Sequence, residues 1–187
     1  MVNFSRYLVV GVGVLVLVCT LWVNWGTTQA NKQVDEANTA SQAANALVPQ
    51  AVAKYRELFS EANLQGYPGN RDQYKANAQE AVDLFAKSAE QYRLAANKLE
   101  EASKQSVKKP LSDYWTLKVQ SFRKLADSKE AFGKLVHLLL DESIPDIDAL
   151  NEKLGPLVDQ ATQLSDESDK LDAEAQKIQD ANKAEFK

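Results

Sequence analysis

Residues 78–99 read Ala78-Gln79-Glu80-Ala81-Val82-Asp83-Leu84-Phe85-Ala86-Lys87-Ser88-Ala89-Glu90-Gln91-Tyr92-Arg93-Leu94-Ala95-Ala96-Asn97-Lys98-Leu99. Within this stretch Ala78, Val82, Phe85, Ala89, Tyr92, Ala96 and Leu99 recur at alternating steps of four and three. That mean period keeps one seam of a helix against a partner helix, as in coiled coils and bundles. The residues between are mostly Glu, Lys, Gln, Asp and Asn, which suit a solvated face.

Outward from this stretch the same period appears three more times. Before it come Val34, Ala37, Ser41, Ala44, Val48, Ala51, Tyr55, Leu58 and Ala62. After it, Trp115, Val119, Phe122, Leu125, Phe132, Leu135, Val136 and Leu139 form a broader stripe. A fourth segment carries Leu150, Leu154, Leu157, Ala161, Leu164, Ser168, Leu171, Ala175 and Ile178. Breakers fall between the segments: Gly66-Tyr67-Pro68-Gly69-Asn70, Lys108-Lys109-Pro110 and Ser143-Ile144-Pro145-Asp146. The pattern predicts helices over about 33–64, 71–106, 111–142 and 146–184. Similar lengths and short connections force antiparallel neighbours. The expected fold is therefore all-α, with an up-down-up-down four-helix bundle and coiled-coil-like seams over 33–187.

Local signals refine these boundaries. Asn70 with Gln73 resembles a capping box at the start of the second helix. Pro49 interrupts the first segment without shifting its phase, which reads as a kinked helix or an abutting pair. Gly155-Pro156 suggests a short helix over 146–153, with Pro156 opening a longer one.

A different kind of stretch precedes the bundle. Residues 7–25 carry no charge, and nineteen helical residues span roughly 28 Å at about 1.5 Å each, close to a bilayer core. Tyr7 at one end and Trp22 and Trp25 at the other suit the two membrane interfaces. The expectation is a single transmembrane helix over 7–25, after a cytoplasmic tail of residues 1–6. Residues 26–32 would be a juxtamembrane linker or a continuation of the helix. A cleaved signal peptide ending near Ala30 is the alternative, which would leave a secreted protein. Acylation of Cys19 fits poorly, because Val18 is bulky and the apolar run continues past the cysteine. Arg6 and the amino terminus favour a cytoplasmic tail, placing the bundle outside the cytoplasm, in a bacterial periplasm by this reading.

Composition excludes much chemistry. One Cys rules out a disulfide framework, and one His rules out schemes that need two. His137 lies in Leu135-Val136-His137-Leu138-Leu139-Leu140 and reads as a buried or boundary side chain. No haem, di-iron or phosphate-loop pattern accompanies it, so no cofactor, metal or catalytic residue is expected. Arg6 is the only charged side chain before residue 31; residues 31–187 hold 21 Lys and Arg against 26 Asp and Glu, a net −5. That balance argues against nucleic-acid binding.

The topology places the 107–110 loop near the bilayer, where Lys104, Lys108 and Lys109 become candidate headgroup contacts. Three lysines there are more often a solvated helix end. Tyr67, between Gly66 and Pro68 at the far tip, is the candidate partner contact, with folding back onto the bundle end as its alternative. Asp141, Glu142, Asp146 and Asp148 near the other far loop fit helix capping better than a calcium site.

The expected function is non-enzymatic: a membrane-anchored structural or accessory protein docking onto a larger membrane or envelope complex. Its partners would be the lipid bilayer and another membrane or envelope protein, with homo-oligomers compatible with the seams. The alternative is an extracytoplasmic sensor or ligand-binding module acting with a separate signalling partner. In outline that plan is similar to the four-helix ligand domains of bacterial chemoreceptors, without a shared motif. Those receptors carry a second membrane helix after the bundle, and no second apolar run occurs in residues 26–187, which favours the accessory role.

Overall fold

In the computed structural model, residues 28–105 and 108–186 are described. All regular structure among them is helical: α1 (Thr28–Leu58), α2 (Glu61–Gln65), α3 (Arg71–Ser103), α4 (Lys109–Leu138), α5 (Ile147–Ala181) and a 3-10 turn, Lys183–Phe186. The expected membrane run over 7–25 lies outside the described residues, within which no helix is long and apolar enough to cross a membrane.

The four long helices pack as a bundle in chain order: α1 on α3, α3 on α4, α4 on α5. Cross-helix pairs show that each neighbour is antiparallel. Glu36 pairs with Lys98 and Lys54 with Glu80 between α1 and α3. Between α3 and α4, Arg93 pairs with Glu130 and Arg123 with Glu100. Between α4 and α5, Lys118 pairs with Asp172 and Lys124 with Glu167.

A fully closed ring would also press α1 along α5, and these two do not pack along each other. The buried stripe of α1 is narrow, running through Ala30, Ala37, Ala44, Ala51 and Leu58 with Val34, Val48 and Tyr55 beside it. A helix with two full neighbours needs a wider apolar face. α1 still reaches across the core, where Tyr55 meets Phe132 of α4 edge-on at 5.7 Å.

Several boundaries differ from the sequence reading. The first segment divides at Ser60, whose Oγ accepts from the Asn63 amide and opens α2. Residues 28–32 are already helical, so the first helix of the bundle starts earlier than residue 33. Pro110 does not precede the third helix; it sits in its first turn, where its missing N–H costs nothing. Asn70 does not form the expected capping box: its Nδ2 donates to the Asn63 carbonyl at 2.8 Å instead. That placement needs Gly66, because a Cβ there would lie 2.6 Å from Asn70 Nδ2.

The fourth segment is one helix through Gly155 and Pro156, not two. It begins at Asp146, the expected position, whose carboxylate accepts from the Ala149 amide at 2.9 Å. Pro49 and Pro156 both lie on exposed faces, so the carbonyl each leaves without a helix bond can be hydrated. His137 is likewise exposed rather than buried in its leucine run.

The end of the bundle opposite Thr28 is tied by Arg71. Its Nε donates to the Leu139 carbonyl at 3.2 Å, and its Nη2 to the Ile144 carbonyl at 3.1 Å and the Tyr67 hydroxyl at 2.9 Å. The guanidinium also lies over the Tyr67 ring, 5.1 Å from its centroid. One planar cation thus satisfies carbonyls at both ends of the turn after α4.

Two substitutions test this description. Gly155→Ala should stabilise the protein by up to about 1 kcal/mol, since nothing lies within 4 Å of the added Cβ and the position is mid-helix. A loss in thermal denaturation would restore the helix break. Arg71→Met should cost about 2 kcal/mol in urea denaturation, and Arg71→Lys should recover only part, because an ammonium cannot reproduce the fork.

Candidate functional site

Two features stand out chemically: a polar seam between α4 and α5, and a groove between α1 and α3. The seam is built from small side chains at helical spacing. Ser121 and Ser168 share a hydrogen bond at 2.9 Å, and Ser128 donates to the Ala161 carbonyl at 3.0 Å. Ser88 does the same between α3 and α1, donating to the Ala44 carbonyl at 3.3 Å. Tyr92 donates to Asn45 Oδ1 at 2.6 Å. Each of these buried or part-buried groups is used to join one helix to the next.

Lys129 is buried differently. It is 4% exposed, and its Nζ lies 5.7 Å from the centre of the Phe132 ring. Burial pushes its amine down to about 8, with Asp169 pulling in the opposite direction. Asp169 itself is pushed up, first by burial and then by Asp172 and Asp166. The two groups feel each other without compensating the cost of their surroundings.

The groove runs along the start of α1. It has a volume of about 760 Å3 and is lined by Thr39, Ala40, Ala43 and Leu94, among others. Lys32, Asp35, Glu36 and Lys98 form its charged border. Lys98 Nζ lies 2.9 Å from Glu36, holding that carboxyl below its ordinary range. Leu94 is the one large apolar side chain exposed among the described residues, at 41%.

The residues singled out from sequence fare differently. Tyr7, Trp22 and Trp25 lie outside the described residues. Tyr67 is not an exposed tip: it is 8% exposed, with its hydroxyl donating to the Ile144 carbonyl at 3.4 Å. Arg71 and the apolar end of the bundle draw the ring inward, so it cannot serve as a surface contact in this arrangement. Lys104, Lys108 and Lys109 do come together at the Thr28 end of the bundle, where α3 ends and α4 begins. Lys108 meets Glu185 at 2.5 Å and Lys109 meets Asp113 at 2.7 Å, while Lys104 is exposed. Part of the positive charge expected to face headgroups is therefore matched within the chain.

Two of the acidic residues near the Tyr67 end hold the backbone. Asp141 accepts from the Ser143 amide and hydroxyl at 2.9 and 2.6 Å, and Asp146 caps α5. Among the described residues no group of three His, Cys, Asp or Glu is arranged to hold a metal.

Sequence reasoning passed over Lys129 and Leu94, and of the bonded serines in the seams it placed only Ser168. Lys129 had a signal, since it follows Phe122 by seven residues and so occupies the buried stripe. Leu94 had none, because its exposure depends on where α1 lies across α3. No family model, curated protein or solved structure matches the chain.

Lys129 sets a pH dependence. Its folded-state pKa lies below the ordinary lysine value of about 10.4, so the unfolded chain binds more protons in between and stability rises with pH there. Below about 8 both states are protonated and the gain is absent. Above about 10 the sign reverses, since burial pushes Tyr55 up to about 12 and also raises Tyr92, so the unfolded phenols ionise first. Urea denaturation should show about 2 kcal/mol more stability near pH 9.5 than near pH 7.5, and Lys129→Met should flatten that rise.

Proposed function

We propose that this chain is a membrane-anchored, non-enzymatic accessory protein whose helical bundle holds a position beside a larger membrane or envelope assembly. The observation that carries the reading is continuity. Only two residues separate the uncharged run over 7–25 from Thr28, where α1 begins and runs without interruption to Leu58. A bundle joined in this way stands on its anchor without a long loose tether. At about 1.5 Å per residue, the 31 residues of α1 span roughly 46 Å, so the Tyr67 end would lie that far from the bilayer surface.

The chemistry of the interior supports the same reading. The buried serines and Tyr92 bond neighbouring helices together, a use that favours a fixed shape. Under this reading the bundle faces the extracytoplasmic side, Tyr7, Trp22 and Trp25 mark the membrane interfaces, and the headgroup role falls mainly to Lys104.

Affinity purification of the full chain from native membranes tests the proposal. The expected result is retention in the membrane fraction after an alkaline wash, with one or more partner proteins recovered in fixed ratio. Release into the wash, or recovery without any partner at constant ratio, would overturn it.

A further inference from the structure

We propose that the groove between α1 and α3 is a self-association surface, filled by the same groove of a second copy of this chain in a parallel two-fold pair. Three observations lead there.

The first is shape. A two-fold contact is self-complementary, so one patch must carry both a projection and a recess that receives it. This patch does: Leu94 projects from α3, while Ala40 and Ala43 leave a shallow apolar recess on α1. All three line the same stretch of groove, so they stand at the same level along the bundle. Rotation about an axis parallel to the helices preserves that level and brings Leu94 of each copy over Ala40 and Ala43 of the other.

The second is charge. The border holds Lys32 and Lys98 against Asp35 and Glu36, one charge of each sign for every opposite. Two such borders meet without net repulsion, and Lys32 of one copy lies one turn from the level of Asp35 of the other. The outer surface of α5 offers the contrast. The whole helix carries nine acidic residues and three lysines, and only Glu167 and Asp172 of those acids pair with α4, so two copies meeting along its exposed side would repel.

The third is orientation. Both copies present α1 starting just after residues 7–25, and a parallel pair lets both runs enter one bilayer. This parallel setting rests on the anchored reading above, whereas the groove-to-groove contact does not.

The test uses the full chain in detergent micelles and in lipid bilayers. Mass measurement corrected for bound detergent should give twice the 20.7 kDa chain. Leu94→Asp should raise the dimer dissociation constant at least about tenfold, the scale for losing a central interface anchor. Because Leu94 is exposed, its helical circular dichroism and melting should stay as in the parent chain, which separates lost association from lost folding. In a Cys19→Ser background, Leu94→Cys and Ala43→Cys chains expressed together should form an intermolecular disulfide under mild oxidation.

A parent chain that stays monomeric at micromolar concentration overturns the proposal. So does a dimer that Leu94→Asp leaves intact, or a different protein found held at this groove in place of the second copy. A dimeric chain that washes off membranes sinks the anchored reading and leaves the paired grooves standing; a membrane-bound monomer does the reverse.

Discussion

The bundle depends first on how closely two columns of small side chains let α1 and α3 approach. Ala30, Ala37, Ala44 and Ala51 repeat every seven residues on α1, facing Ala81, Ser88, Ala95 and Ala102 on α3, and all are buried. Each alanine removes little more than a methyl group from water, about 0.8 kcal/mol, so no single one holds the pair. The energy accumulates along the whole seam, through many weak contacts between backbones brought near each other. Closeness also lets Ser88 reach the Ala44 carbonyl, a bond that a larger neighbour would block. The same device recurs between α4 and α5, where Ser121, Ser128, Ala161 and Ser168 form the meeting line.

The large rings gather in clusters beside these narrow seams. Tyr55, Phe85 and Phe132 cluster toward the Tyr67 end, with Phe85 and Phe132 stacked at 5.6 Å. Trp115, Tyr114 and Phe186 gather at the Thr28 end, where Tyr114 and Phe186 meet edge-on at 5.2 Å. Between these two groups Tyr92 and Phe122 stack at 6.1 Å beside Ala44, Ala89 and Ala126. Each end is closed by a polar tie as well, Arg71 at one and Lys108 with Glu185 at the other. Among the described residues, Gly66, Pro68, Gly69 and Pro145 lie at turns, Pro110 in the first turn of α4, and Pro49, Gly155 and Pro156 on exposed helix faces, while Gly133 sits mid-helix beside Phe85. The seams run unbroken between the ties.

The periodic features were legible because they obey one rule repeated many times. Four segments, their antiparallel order and most of the buried residues follow from steps of three and four. The termini were less legible, since a cap depends on one side chain's choice of partner, and Asn70 chose Asn63 over its own helix. Gly155-Pro156 looked like a break because glycine and proline usually stop helices; here the exposed face absorbs the orphaned carbonyl and Leu154 stays buried. For Tyr67 the turn left two placements open, an exposed tip or a ring folded back onto the bundle end, and Arg71 beneath it goes with the second. The candidate site was the least legible part, as a groove between two helices has no local pattern of its own.

Chain-order packing also decides how the molecule carries load. Tension applied at Thr28 enters α1, which leans on α3 and not along α5. The path to the rest of the protein therefore runs through the alanine columns and the Ser60 turn. The aromatic layers shared by α3 and α4, and the serine line joining α4 to α5, lie behind that first seam. Pulled at Thr28, such a structure would peel from one edge, with α1 as the sacrificial strip and the α3–α4–α5 layer held together behind it.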